Sequence, residues 1–166
     1  MSASNASTLA IALADYRDPA DGAALVALLD AYARDPMGGG EPLSPKVRDG
    51  LPAALAEQPG AFTLIAREDG EPAGLANCFT GFSTFACAPL VNIHDLAVLP
   101  EHRGKGLGRA LMRAVATEAR KRGACKITLE VLSGNEGAKA LYASEGFATY
   151  ALDPAMGSAQ FWEKKL

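Results

Sequence analysis

The chain has 166 residues, 49% of them hydrophobic and 21% charged, with a formal net charge of −3. That length suits one domain with its own core, and the slight acidity argues against a general nucleic-acid binder. No run of 18 apolar residues occurs, so no membrane span is expected. With three cysteines and two histidines, neither a disulfide framework nor a metal site is expected.

The first ten residues, MSASNASTLA, have no basic stretch and no long apolar run. No secretory leader is therefore expected, and the setting expected is cytoplasmic. Residues 1–7 read as a disordered polar tail and 8–166 as a single domain. Thr8–Ala14 reads as a first strand. Over Ala20–Arg34, Leu25, Leu28, Leu29 and Tyr32 recur at helical spacing, behind an Asp and a Pro. Asp35–Pro42, with three successive glycines, is a loop. Ser44 as N-cap, with Pro45 at the first helical position, opens a second helix that runs to Glu57. Phe62–Arg67 and Ala73–Gly81 read as strands joined by a hairpin turn at Glu68-Asp69-Gly70-Glu71.

Ser83–Pro89 reads as a loop and Leu90–Leu99 as a strand stopped by Pro100. A glycine-rich turn leads into a helix from Gly106 to Arg122, whose buried stripe is Leu107, Ala110, Leu111, Ala114 and Val115. Ile127–Leu132 alternates as a strand. Asn135–Ser144 is helical, with Gly146 just past its end. Phe147–Leu152 and Ala159–Glu163 read as a closing antiparallel pair. The order of elements predicts one mixed α/β layer fold.

Charge is unevenly placed. Residues 101–126 carry eight Lys or Arg against two Glu, a net of +6, and the remainder carries −9. Such a pattern suits an anionic ligand held locally. Within the basic segment lies Arg103-Gly-Lys-Gly-Leu-Gly108, between a strand and an amphipathic helix. Glycines let the backbone turn sharply and approach a ligand. The free N–H groups at the start of the helix, and its dipole, favour an anion there. Arg103, Lys105 and Arg109 add positive charge, so the turn reads as a pyrophosphate cradle. Glycines at 104, 106 and 108 match neither the P-loop nor the dinucleotide fingerprint.

Arg103-x-x-Gly106-x-Gly108, after a strand ending Leu96-Ala97-Val98, resembles the acyl-CoA signature of the GNAT superfamily of N-acetyltransferases. Asn135, Ala138, Leu141-Tyr142 and Gly146-Phe147 resemble a second segment of the same superfamily. The resemblance implies a GNAT-type three-layer α/β (mixed α+β) fold. Its central sheet would be mostly antiparallel and splayed between strands 4 and 5, with helices on both faces. Acetyl-CoA is then the cosubstrate, with no metal. Its pyrophosphate would lie on Arg103, Gly104, Lys105, Gly106, Leu107, Gly108 and Arg109. Its pantetheine arm would lie along a free edge at Leu96, Ala97 and Val98, and Asn135 would contact that arm.

The resemblance also implies that Tyr142 gives a proton to the departing thiolate. A phenol of pKa about 10 can serve a thiolate of about 8.5. Two bases are open. His94 stands where related diamine acetyltransferases carry a Glu, and an imidazole suits the task. Glu130 stands where acetyltransferases of ribosomal-protein N-termini carry a catalytic Glu. A chain of waters is a third route. Asp95 should face away from His94 by strand alternation, which makes it structural. Cys78, Cys87 and Cys125 sit in apolar runs and read as inert core thiols.

A looser resemblance of Asn77–Leu90 to diamine acetyltransferases implies Phe82 and Phe85 beside the acceptor, with Asp35 and Glu41 as partners for its ammonium. The function expected is transfer of acetyl from acetyl-CoA to a primary amine of a small molecule, polyamine-like or amino-acid-like, by direct attack in a ternary complex. Acetylation of a peptide N-terminus or lysine is the alternative. A catalytically silent CoA sensor is the alternative of another class. The partner expected is a small-molecule amine rather than nucleic acid or membrane, and a homodimer fits the fold.

Overall fold

The structure is a computed structural model and describes residues 7–166. The chain divides between Leu129 and Glu130 into two compact units. The first carries β1 (Leu9–Leu13), α1 (Pro19–Arg34), α2 (Pro45–Glu57), β2 (Ala61–Glu68), β3 (Glu71–Ser83) and β4 (Ala88–Val98). A 3-10 turn (Pro100–His102), α3 (Leu107–Lys121) and β5 (Ile127–Leu129) complete it. The strands form one sheet in the order β1-β2-β3-β4-β5, antiparallel except for the parallel β4–β5 pair.

Residues 62–66 of β2 and 73–78 of β3 are buried without a break. A strand buried on both faces needs cover on both. On one face, Ile65 and Leu75 pair across β2 and β3 and pack with Leu25 and Leu28 of α1 and Leu55 of α2. Each fully buried leucine of this kind contributes about 1.5–3 kcal/mol. α3 covers the other face through Leu107, Leu111, Met112, Val115 and Ala119. Met112 is buried where the expected stripe had Ala110 and Ala114, which are half-buried. Gly74 allows α3 and β4 this close: a Cβ there would lie 2.7 Å from Ala97 O and 3.2 Å from Leu111 Cδ1.

Local signals place the element ends. Asp18 accepts the Ala20 N–H at 2.8 Å and Ser44 the Val47 N–H at 3.4 Å. Asp69 (φ 52) and Gly70 (φ 89) are both left-handed, as a two-residue hairpin turn between right-twisted strands requires.

Two stretches of this unit differ from expectation. The loop foreseen at Ser83–Pro89 shortens, because Phe82↔Pro89 and Ser83↔Ala88 extend the β3–β4 ladder. β5 ends at Leu129 instead of Leu132 and pairs with β4 only through Val91, Asn92 and Ile93. The β3–β4 register steps at this point: Cys78 faces Ile93 and Asn77 faces Asp95. His94 is the extra residue of a β-bulge, which bends a strand and raises its twist. Beyond it, no strand among the described residues pairs with the far side of His94–Val98, and this is the splay between strands 4 and 5.

The second unit carries α4 (Glu136–Ser144) and a 3-10 turn at Pro154–Met156. Asn135 caps α4 by accepting the Ala138 N–H at 3.1 Å. Gly146 (φ 88) lets the chain leave the helix, and the Phe147 N–H bonds Tyr142 O at 3.0 Å. The closing strand pair does not form among the described residues. Phe147–Leu152 and Ala159–Glu163 meet through one long bond, Ala159 N–H to Tyr150 O at 3.5 Å, and Tyr150, Leu152, Phe161 and Trp162 are exposed. A two-strand ribbon that buries neither face is marginal in water. No helix among the described residues is long and apolar enough to cross a membrane.

Candidate functional site

The site begins where β4 loses its second neighbour. The Leu99 N–H bonds Ala73 O at 2.9 Å. Backbone groups alternate in direction along an antiparallel ladder, so Ala97 faces β3 as Leu99 does. Leu96 and Val98 turn their amides to the edge that β5 leaves unpaired.

The chain then passes Gly104 (φ 75) and Gly106 (φ 84) into α3. Both angles suit glycine, and a Cβ at either would meet nothing within 4 Å. Open space, not packing, surrounds the turn. Gly106 is the N-cap of α3 and makes no side-chain cap, whereas Asp18, Ser44 and Asn135 cap α1, α2 and α4. The first N–H groups of α3 therefore face the open turn, with Leu107 buried behind them.

The charges around the turn are tied to other elements. Arg103 donates from Nε to Val98 O at 2.9 Å and from Nη2 to Asp35 Oδ2 at 2.9 Å. Asp35, the C-cap residue of α1, also accepts the Met37 N–H at 2.9 Å. That N–H and then the Arg103 guanidinium hold its carboxyl below the ordinary value. Two expected residues, one assigned to the cofactor and one to the acceptor, thus meet. Lys105 Nζ lies 3.8 Å from Glu68, which also bonds the imidazole of His102. The Ser7 hydroxyl and His102 keep the Glu68 carboxyl below its ordinary value. Arg109 is exposed in the first turn of α3.

The bulge corrects one expectation. Asn77 and Phe79 share a face of β3, two positions apart. Asn77 Nδ2 donates to Asp95 Oδ2 at 3.0 Å, and the His94 ring stands edge-on to Phe79 with centroids 5.5 Å apart. The extra residue brings His94 and Asp95 to the same face, where plain alternation would separate them. His94 itself is exposed. Asn77 and Thr63 were missed in the sequence, although polar residues inside two apolar strands signal a partnered group.

The remaining expected residues lie apart from this turn or in the second unit. Glu41 is exposed on the loop between α1 and α2, its N–H bonded to Ala33 O. Phe82 is 60% exposed and Phe85 fully exposed at the β3–β4 hairpin tip. Phe82 pairs with Pro89, about 30 Å along β4 from Val98 at 3.3 Å per residue. Glu130 is exposed just after β5. Tyr142, on α4, packs its ring against Phe147 at 6.2 Å. Cys78 is buried, and desolvation pushes its thiol up to about 12, so it is inert. Cys87 and Cys125 are exposed, against expectation. They lie just before β4 and β5, at turns that put apolar neighbours outside the core. Among the described residues no group of three or more His, Cys, Asp or Glu is arranged to hold a metal ion.

Comparison with known proteins agrees with this arrangement. Residues 22–147 match the model of the acetyltransferase (GNAT) family. The streptothricin acetyltransferase of Streptomyces lavendulae is 41% identical over 109 residues, 65% of this chain and 56% of that protein. The [ribosomal protein bS18]-alanine N-acetyltransferase of Escherichia coli K12 is 44% identical over 55 residues, 33% of this chain and 37% of that protein. The chain thus matches little more than half the length of the first of these relatives and less of the second. In fold, it is similar to an aminoglycoside acetyltransferase from an uncultured soil metagenomic sample, with a TM-score of 0.75 and 18% identity over 95% of this chain and 97% of the other.

Proposed function

The chain belongs to the GNAT acetyltransferase family, and on that premise we propose that it transfers acetyl from acetyl-CoA to a primary amine of a small molecule in a ternary complex. One observation carries the reading: an unpaired strand edge runs directly into a glycine turn and an uncapped, basic helix start. These residues fit an acyl-CoA. The open space at Gly104 and Gly106, with the N–H groups of α3, suits a pyrophosphate, and Arg103, Lys105 and Arg109 supply counter-charge. The free edge of β4 suits an amide-bearing arm added like a strand. Asn135 is the further contact to that arm.

Bound acetyl-CoA supplies the acyl group as a thioester. The protein's part is to orient and to move protons. The Val98 N–H, turned to the free edge, polarises the carbonyl oxygen as charge develops there. Tyr142 holds the proton destined for the sulfur. The acceptor ammonium must lose a proton before attack, since an alkylamine has a pKa of about 10. His94, exposed at the bulge, is the base we favour, and Glu130 is the second candidate. Glu41 adds negative charge on the acceptor side, whereas Asp35, the other acidic residue expected there, is spent on Arg103.

The acceptors named for the relatives, streptothricin and an alanine of ribosomal protein bS18, support two substrate classes. A peptide is the second reading, because only an extended acceptor would reach Phe82 and Phe85. Three free cysteines suit a reducing, cytoplasmic setting. The exposed Phe161 and Trp162 support a homodimer, to be checked by sedimentation.

Thiol release from acetyl-CoA is the test, against polyamines, amino acids, streptothricin, aminoglycosides and short peptides with free N-termini. A small amine turned over well above the rest is the expected result. A peptide preferred over every small amine would shift the conclusion to the second reading. CoA binding with no transfer to any of them would point to a sensor.

A further inference from the structure

A chain of polar side chains crosses the sheet beneath α1. The Thr63 hydroxyl donates to Asn77 Oδ1 at 2.6 Å, and Asn77 Nδ2 donates to Asp95 Oδ2 at 3.0 Å. The Tyr16 hydroxyl lies 2.9 Å from Thr63 Oγ1. Thr63 has one proton and commits it to Asn77, so Tyr16 donates to Thr63. Every donor therefore points the same way, and the run ends on a carboxylate.

Thr63 is 1% and Asn77 5% exposed, in the layer that holds Ile65 and Leu75. Polar groups there are costly unless fully paired, and aligned hydrogen bonds strengthen one another at low local dielectric. Apolar residues of similar size would fill the same space. What the polar chain adds is a carboxylate held in one orientation. Asp95 forms no ion pair with any described residue, and Oδ1 accepts no hydrogen bond from one.

The place is informative too. The bulge puts Asp95 one residue before the free edge at Leu96–Val98, on the face covered by α1. Tyr32, in the last turn of α1, lines a small cleft with Ala97, Val98 and Arg103. Burial, then the fields of Asp95 and Asp35, hold the Tyr32 hydroxyl above its ordinary value. The fields of both carboxylates thus reach the Tyr32 hydroxyl, although neither residue lines the cleft itself. Arg103 already neutralises Asp35, so the uncompensated charge is that of Asp95.

We propose that Asp95 anchors the acceptor's ammonium beside the free edge of β4, and that Tyr16, Thr63 and Asn77 are positioning residues for its carboxylate. The inference rests on the amine-acetylation reading. It gives a role to a residue the sequence marks as structural, and it leaves proton removal to the base.

Two measurements test it together: calorimetric titration of the CoA-loaded protein with spermidine, lysine, streptothricin and a short peptide, and steady-state transfer to the same amines. Asp95→Asn keeps the shape and removes the charge, and should weaken amine binding between about tenfold and a hundredfold. Thr63→Val cuts the chain and should raise the acceptor KM about tenfold, with kcat and CoA affinity within about twofold. Thr63→Ser restores the hydroxyl and should return the wild-type KM. A merely structural threonine would instead lower kcat, CoA affinity and Tm together, and that result overturns the proposal. So does transfer with an acceptor KM unchanged in Asp95→Asn. Amine binding that depends on Asp95, without any transfer, upholds the anchor and overturns the transferase reading. A wild-type protein that neither binds nor acetylates any of these amines overturns both.

Discussion

The starts of α1 and α3 meet the same physical demand in opposite ways. Each leaves N–H groups without partners inside the helix. At α1, Asp18 accepts one of them at 2.8 Å and Pro19 needs none. At α3, Gly106 sits in the left-handed region with no side chain to offer, in open space, behind a basic turn. An N-cap contributes about 1 kcal/mol. A helix that goes without one, where its neighbours do not, leaves that stabilisation to whatever anion binds. The first arrangement serves the fold, and the second suits the anionic ligand we propose.

Breaking the α3 start should have the largest effect. Gly106→Asp forces a side chain onto φ 84 and sets a carboxylate where the pyrophosphate would lie. CoA affinity measured by calorimetry should fall more than about a hundredfold, given both the strain and the like charge. An unchanged affinity would sink the cradle. Ser44→Ala removes the cap of α2 and should cost about 1 kcal/mol, roughly 2–4 °C in Tm, with CoA affinity unaltered. If it weakened CoA binding as Gly106→Asp does, the distinction between the two kinds of helix start would vanish.

The smallest effect concerns the ion pair that joins the two helices' surroundings. Asp35 is held below its ordinary value of 3.8 by the Met37 N–H and by Arg103. A depressed carboxyl stabilises the fold above its unfolded value and loses that contribution as pH falls through the folded value. The Tm gap between wild type and Asp35→Asn should therefore be constant above about pH 4 and close below it. Solvent screening should keep the gap smaller than that of Ser44→Ala. A gap that widened on acidification would mean that the pair does not stabilise the fold.

Much of this was legible locally. Asp69-Gly70, Ser44-Pro45 and Asn135 each act within a few residues, so spacing alone placed the hairpin and two helix starts. The glycine turn was legible for the same reason, because helix start, left-handed angles and basic residues lie within one short run. The bulge at His94 was not, since it arises from how β4 is shared between β3 and β5, and the residue itself carries no mark of it. Nor was the contact of Arg103 with Asp35, which are far apart in the chain. The closing strand pair was read from alternation at Phe147–Leu152, but alternation promises a strand only where a partner and a face to bury exist.

By itself, the sequence determined the kinds of element and their order as far as α4, and the glycine turn before α3, because short-range sterics and hydrogen bonding set caps, turns and helical periods. Only the tertiary structure decided that His94 and Asp95 share a face, that Thr63 and Asn77 are linked to Tyr16 and aimed at Asp95, and that β4 keeps one edge free. Those depend on strand register, which is settled when distant segments bury their apolar faces together.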